Sequence, residues 1–491
     1  IPAVPKYGSV GASGDPAPLA HIAMVLVGAP HSKAFVNGTI ISGSDLKKIL
    51  FEIYSGELDD FYRKNNIDVD YVLLNENAID SNEFLLNLSY KESLSLINGT
   101  DFESAIMAIA IHRIKNLFNA SLLSLALTIE ALRGIIDAFD ALPIDLLNHN
   151  GARFVSNVLR SLLQGSKLII RRNQKIKLRD LVSNIDTKNR SELVIYVSKS
   201  KLMFYGVSLQ RLVTLLRKKL GVQSISLSLS TNSYAIHIEK IKDTDYIENI
   251  EFTFGELGYV QDAYSVRCSP KVYGIVYDFI NFAESVIINE INAVTDNPII
   301  INDNGFKIFS AGNFHGQPIG FVADSLKVCL GYIGGISERR IFRLLDPNLN
   351  RELPAFLSPE SGLNTGLMIS QYTAAALTSL NKICSHVSSI DSLPTSANQE
   401  DWNSMALNSA WMLMESIKNT TWIIATEILC AAQAVMLRTN SNIELLGRGT
   451  KKFMRTLMRS IGLPIKSDRY FKLDIEKIIK VLDNLNFEDL L

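Results

Sequence analysis

Apolar side chains recur every three to four residues over most of this chain. Residues 101–142 form the first long example, with Ile106, Ala110, Ile114 and Leu117 marking one face. Residues 272–291 (Ile275, Phe279, Phe282, Ile287), 321–343, 404–437 and 474–485 repeat the pattern. A period near 3.6 kept over stretches of this length predicts helices. With turn-forming breaks between them, the helices should assemble into a mainly α fold, a bundle of long helices.

Two regions break the pattern. Residues 38–87 mix a short helix, at 45–64, with polar loops and read as an insertion. Residues 191–255 read as a small β-α-β-β unit. Residues 192–204 are rich in Val, Ile, Tyr and Phe, as strands are. Residues 207–220 are helical, with Leu209, Leu212, Leu215 and Leu216 on one side. Residues 222–229 and 234–241 then alternate like a hairpin around Ser230-Thr231-Asn232-Ser233. The expected organisation is therefore 1–190 (a first helical part with the insertion at about 38–87), 191–255 (the inserted unit) and 256–491 (the central helices and C-terminal helices).

Composition narrows the function classes. The chain of 491 residues is 47% apolar and 20% charged, with a formal charge of -1, which gives it no basic field for nucleic acid or an acidic membrane surface. Its most apolar stretch, 421–437, is interrupted by Glu427 and Gln433 and suits a buried helix rather than a membrane span. Cys268, Cys329, Cys384 and Cys430 are scattered without a CxxC pair, which points to a reducing, cytoplasmic compartment. The seven histidines show no metal spacing, and no metal site is expected.

The candidate chemistry sits near the first residue. Gly8-Ser9-Val10-Gly11-Ala12-Ser13-Gly14-Asp15 precedes an apolar helical run from Pro16. Asp15 suits the helix N-cap and Pro16 the first helical position. A glycine-rich loop at the positive end of a helix is more often an anion-binding turn than anything else. The Walker loop is excluded for want of its Gly-Lys-Ser/Thr ending, and a Gly-x-Ser-x-Gly elbow because Gly14 follows Ser13 directly.

The company of that loop carries the reading further. Residues Pro5 to Asp15, running on to Leu19-Ala20-His21, closely resemble the signature of the histidine, phenylalanine and tyrosine ammonia-lyases and their aminomutase relatives. Five more segments resemble the same family in its order: Ile97-Asn98-Gly99-Thr100, Gln261-Asp262-Ala263-Tyr264-Ser265-Val266-Arg267-Cys268, Thr295-Asp296-Asn297-Pro298, Gly312-Asn313-Phe314-His315-Gly316-Gln317-Pro318 and Ser396-Ala397-Asn398-Gln399-Glu400-Asp401. Ser337-Glu338-Arg339-Arg340 and Asp468-Arg469 add weaker matches. The resemblance implies a long-helix bundle of the ammonia-lyase and fumarase-like type, and a homotetramer whose sites each draw on three subunits. It also implies that Ala12-Ser13-Gly14 cyclises by itself. The Gly14 nitrogen would attack the Ala12 carbonyl, and two dehydrations would leave a 4-methylidene-imidazol-5-one, so that no external cofactor is needed.

The same resemblance assigns the remaining roles. Arg267 would anchor the carboxylate of a small amino-acid substrate, which a guanidinium matches with two parallel hydrogen bonds. Asn98, Gln261 and Tyr264 would line the substrate or contact the ring, with Tyr264 in the catalytic set, and Phe314 would form an aromatic wall. Glu400 discriminates most. Histidine lyases carry Gln-Glu-Asp here, where plant-type phenylalanine and tyrosine lyases tend to carry Asn-Gln-Asp, and a carboxylate can take a proton that an amide cannot. Trp402 stands where histidine lyases usually have His. The favoured expectation is elimination of ammonia from L-histidine to give urocanate. A tyrosine or phenylalanine lyase, a 2,3-aminomutase and an inactive relative of the same fold stay open as alternatives. The family's lid tyrosine and its ring-selecting side chain would lie upstream of Ile1.

Overall fold

The computed structural model describes residues 1–65, 75–189, 192–229, 232–239, 241 and 246–491. Helices dominate, and the longest are Asp101–Ala131, Ser269–Ile291, Gln317–Leu345 and Ala406–Arg438. They fall where the apolar period placed them. Residues 101–142 are not one helix, however. The helix ends at Ala131, Arg133 takes a positive φ of 51°, and the Gly134 amide turns back to the Ile129 carbonyl at 2.7 Å. A Cβ on Gly134 would sit 2.8 Å from the Ile129 side chain, so the tight stop depends on glycine. Two of the long helices, Gln317–Leu345 and Ala406–Arg438, are apolar enough by length and composition to cross a membrane, but the apolar window of the second is 83% buried within the protein.

The described chain divides into two compact units. The first comprises Ile1–His112, Phe282–Lys327 and Ser385–Glu415. In it the helix Pro16–Leu26, the hairpin of Lys33–Val36 with Thr39–Ser42, and the helix Gly43–Asn65 gather a small core of Val25, Ala34, Leu46, Leu50 and Leu85. Lys47 is buried there with its ammonium donating to the carbonyls of Ala78, Ser81 and Glu83, each at 2.8 Å. Three carbonyl acceptors satisfy all three of its N–H donors. Part of the polar stretch expected within 38–87, residues 66–74, lies outside the described residues.

The second unit comprises Arg113–Asn281, Val328–Cys384 and Ser416–Leu491. Its helices are tied by one buried carboxylate. Glu427 accepts from Ser124 (2.9 Å), Thr128 (2.7 Å), Ser337 (2.5 Å) and both sides of the Arg340 fork (2.6 and 2.7 Å), while Arg340 also meets the Tyr273 hydroxyl at 2.9 Å. A charge that interrupts the most apolar stretch of sequence is thus fully paired where it is buried, as it must be.

The inserted unit also belongs here. It is a four-stranded antiparallel sheet in which Val182–Asn189 pairs with Glu192–Ser198, which pairs with Ser233–Glu239, which pairs with Ile225–Leu229. The sequence reading differs from this in two ways. A strand precedes residue 191, and 199–204 are helical rather than strand. Ser198 ends the strand by accepting the Lys201 amide, which starts the helix Lys199–Tyr205, and Gly206 closes that helix at φ 64°. Capping chemistry outweighs the strand preference of Phe204 and Tyr205. Of the expected turn at 230–233, residues 230–231 lie outside the described residues. The helix Leu209–Leu220 packs Leu212, Leu215 and Leu216 into a core with Leu193, Ile195, Val197, Ile236 and Ile238.

Candidate active site

The Ala12-Ser13-Gly14 loop is compressed by contacts from two distant segments of its own unit. Gly11, Ser13 and Gly14 all have positive φ, at 70°, 50° and 74°. For Ser13 this left-handed backbone is a strained conformation that neighbours must enforce. The enforcement comes first from Gly99. Gly14 forms a parallel bridge with it, the Asp15 amide donates to the Gly99 carbonyl at 2.8 Å, and a Cβ on Gly14 would lie only 1.8 Å from that carbonyl oxygen. It comes also from Met405, whose amide donates to the Val10 carbonyl at 2.8 Å, and from Ser404, whose hydroxyl donates to the Gly11 carbonyl at 3.1 Å. Inside the loop, the Ser9 hydroxyl receives the Gly11 amide and donates to the Gly14 carbonyl.

Pro16 begins the following helix, as its fixed φ allows. Asp15 does not cap it. Its side chain makes no capping bond and instead accepts the Glu103 amide at 2.9 Å. Asp15 and Glu103 are both buried, and Asp15 Oδ1 and both oxygens of Glu103 have no hydrogen-bond partner. Burial pushes the Asp15 carboxyl up to about 6. Burial, followed by the charges of Asp15 and Glu290, raises Glu103 well above the usual carboxylate range.

The Ser13 hydroxyl donates to Glu400 Oε1 at 2.9 Å. The other oxygen, Oε2, accepts the Thr395 hydroxyl at 2.6 Å. That bond, opposed by burial and aided by Ser396 and Ser13, holds Glu400 below the ordinary carboxylate range. Asn98, at the end of the helix Glu92–Ile97, is buried with its amide donating to Asp296 (2.8 Å) and to the Asn297 carbonyl (3.0 Å). Lys91 makes a bridge to the same Asp296 at 2.7 Å. Phe314 is half-buried in the turn before Gln317–Leu345. Next to it His315 lies 3.0 Å from the Trp402 carbonyl through Nε2, and the Trp402 indole donates to Gln317.

Gln261, Tyr264 and Arg267 belong to the second unit. Gln261 is exposed, Tyr264 is 71% exposed, and the Arg267 guanidinium lies over the Tyr264 ring at 4.7 Å. Arg267 Nε donates to the Asp262 carbonyl at 3.0 Å. The nine candidate residues therefore fall into two groups, Ala12, Ser13, Gly14, Asn98, Phe314 and Glu400 in one unit and Gln261, Tyr264 and Arg267 in the other.

Sequence reasoning missed the residues that hold these in place. Asp296 lay inside a motif already singled out, and Thr395 and Ser404 flank another. Lys91 and Glu103 carried no signal, since neither periodicity nor composition distinguishes a buried charge at those positions from a solvated one.

The sequence model of the aromatic amino acid lyase family matches residues 1–184 and 230–459. The stretch it passes over holds most of the inserted sheet and both of its helices. Over 491 residues the chain is 33% identical to a histidine ammonia-lyase of Caldanaerobacter subterraneus subsp. tengcongensis, covering 100% of this chain and 73% of that one. Among solved structures, it is similar to the tyrosine aminomutase of Streptomyces globisporus, with a TM-score of 0.70 and 26% identity over 100% of this chain and 73% of that one. It is likewise similar to the histidine ammonia-lyase of Trypanosoma cruzi, with a TM-score of 0.68 and 26% identity over 100% of this chain and 70% of that one. The chain belongs to the aromatic amino acid lyase family and is a carbon–nitrogen lyase.

Proposed function

We propose that the chain eliminates ammonia from L-histidine to give urocanate, using an electrophile made from its own Ala12, Ser13 and Gly14. The contact between Ser13 and Glu400 carries this reading. It sets a carboxylate that stays ionised beside the side chain whose β-carbon would become electrophilic. The relatives named histidine ammonia-lyase support the choice of histidine.

The loop residues fit the group they would form. Gly14 is pressed so closely on Gly99 that no side chain could be accommodated, and Ser13 is held at positive φ with its hydroxyl engaged. A 4-methylidene-imidazol-5-one made from these residues supplies an electron-poor carbon toward the substrate amine, without an external cofactor. The rest of the work falls to ordinary side chains. Arg267 binds the substrate carboxylate through its guanidinium N–H groups. Glu400 accepts a hydrogen bond or proton from the imidazole N–H. Asn98, fixed by Asp296, and Gln261 orient polar groups, Tyr264 acts beside Arg267, and Phe314 walls the ring.

We further propose a homotetramer that binds a small amino acid, with no nucleic-acid or membrane partner, in the cytoplasm. Exposed apolar side chains support assembly: Ile275, Phe282, Ile288 and Ile291 on one long helix, and Phe306, Ile308 and Phe309 on a short hairpin. Surfaces of this kind mark interfaces. The four cysteines are free, as suits a reducing compartment.

A second reading, a tyrosine or phenylalanine lyase or a 2,3-aminomutase, draws support from Trp402 and from the likeness to a tyrosine aminomutase. Ultraviolet absorbance of the conjugated acrylate decides between them when the full-length protein is given histidine, tyrosine and phenylalanine in turn. Histidine alone should give a rise. A rise with another substrate, or a β-amino acid in place of an acrylate, selects the second reading. Silence with all three and no β-amino acid overturns both. Ser13→Ala should be inactive, and its intact mass should match its sequence, whereas the wild type should be lighter than its sequence by two waters.

A further inference from the structure

Tyr259 and Arg351 connect the inserted unit to the segment that carries Arg267, the last residue of the short helix Tyr264–Arg267. Tyr259 is buried, and its hydroxyl donates to the Tyr205 carbonyl at 2.5 Å and to the Gly206 carbonyl at 3.3 Å, at the C-terminal end of the helix Lys199–Tyr205. The approach is close, since a Cβ on Gly206 would stand 2.4 Å from that hydroxyl. The Arg351 guanidinium lies over the Tyr259 ring, 3.9 Å from its centroid. Arg351 holds an unusual backbone, with φ 60°. It donates through Nη1 to the carbonyls of Leu132 and Arg133, and through Nη2 to Asp262 Oδ1 at 2.8 Å. The second oxygen of Asp262 accepts the Ile135 amide at 2.6 Å, and its carbonyl accepts Arg267 Nε at 3.0 Å. Asp262 is thus fixed at three points, and one of them is the guanidinium assigned to the substrate carboxylate.

We propose that Tyr259 and Arg351 are positioning residues through which the inserted unit sets the orientation of Arg267 and so the affinity for the substrate carboxylate. This rests on the assignment of Arg267 under Proposed function. The physical basis is that a bidentate guanidinium–carboxylate pair depends steeply on angle, so a small rotation of the Asp262–Arg267 segment weakens binding without touching the reacting atoms. The family model passes over 185–229, so the carbonyls that receive Tyr259 are a feature of this chain's insertion.

The test uses the full-length protein and four variants: Tyr259→Phe, which keeps the ring and loses the two hydroxyl bonds; Arg351→Lys, which keeps the charge and loses the fork; Arg351→Gln; and Arg267→Gln. Steady-state kinetics on the amino acid are paired with inhibition by the corresponding decarboxylated amine, which has no carboxylate to read. Tyr259→Phe and Arg351→Gln should each raise KM on the order of tenfold with kcat within about twofold, because removing binding that is equal in ground and transition states acts on KM. Inhibition by the amine should stay unchanged, and Arg351→Lys should recover part of the loss. If Arg267→Gln raises KM while Tyr259→Phe and Arg351→Gln leave it at the wild-type value, or if they lower kcat and amine binding together, the positioning role is overturned and the anchor stands. If Arg267→Gln itself leaves KM unchanged, the anchor assignment fails first.

Discussion

The Ser13 hydroxyl and the Glu400 carboxylate, 387 residues apart in sequence, meet at 2.9 Å. Glu400→Gln tests what that carboxylate does. The amide keeps one oxygen that can accept from the Thr395 hydroxyl, so the fold should survive with a melting temperature close to wild type. Turnover should fall about 10²- to 10⁴-fold, the usual range for loss of a group that transfers protons. Steady-state turnover beside a thermal melt checks it, and near-wild-type turnover would remove Glu400 from the chemistry. Because Glu400 is held below its ordinary value of 4.5, it stays charged until pH falls below that value. An acid limb from this residue should therefore appear only under pH 4.5.

Glu103 and Asp15 should impose a pH dependence on stability. A carboxyl whose folded pKa is raised stabilises fully below its unfolded value and loses that contribution as pH climbs through the folded value. For Asp15 the loss runs from 3.8 to about 6, and for Glu103 from 4.5 upward. Glu103→Gln should be more stable than wild type at pH 8 by at least about 1 kcal/mol, since an unpaired buried charge is costly. The gain should shrink toward pH 4. Denaturant melts across that range check it; an equal gain at both ends would show that charge is not the cause.

Gly14 and Gly38 separate steric crowding from backbone strain. Both have positive φ, 74° and 82°, but a Cβ on Gly38 meets nothing within 4 Å, while one on Gly14 meets the Gly99 carbonyl at 1.8 Å. Gly38→Ala should cost about 1–2 kcal/mol, the ordinary penalty for a left-handed residue. Gly14→Ala should cost more than that and abolish activity. Comparable melts for the two variants would contradict the close approach.

Glu427→Ala should be among the most destabilising single changes in the second unit, about 3–5 kcal/mol, because it strands Arg340 without its counter-charge in a buried setting. Chemical denaturation measures it. A cost under about 1 kcal/mol would mean that Arg340 finds another partner.

Much of the architecture was legible because long helices write their period plainly: Ile106, Ala110, Ile114 and Leu117 could be assigned a face without any knowledge of their neighbours. What escaped the reading depended on local caps or on distant partners. Ser198 and Gly206 turned an expected strand into a helix through two hydrogen-bonding details. Arg133 and Gly134 stopped a helix whose apolar period runs on. Asp15, a plausible N-cap by sequence, was diverted to the Glu103 amide, a partner 88 residues away. At the candidate site, Ser13, Glu400 and Asn98 stood out through the motifs around them, but Thr395 lies just outside the motif of Glu400, and Lys91 and Asn98 meet through Asp296, a contact that no single segment reveals.

The parallel bridge between Gly14 and Gly99, with Met405 clasping Val10 from the far side, has a consequence for timing. The three segments are far apart along the chain, so an emerging or denatured polypeptide has nothing to squeeze residues 12–14. The covalent rearrangement proposed for that loop would therefore wait until tertiary structure is assembled, and a misfolded copy would stay chemically unarmed.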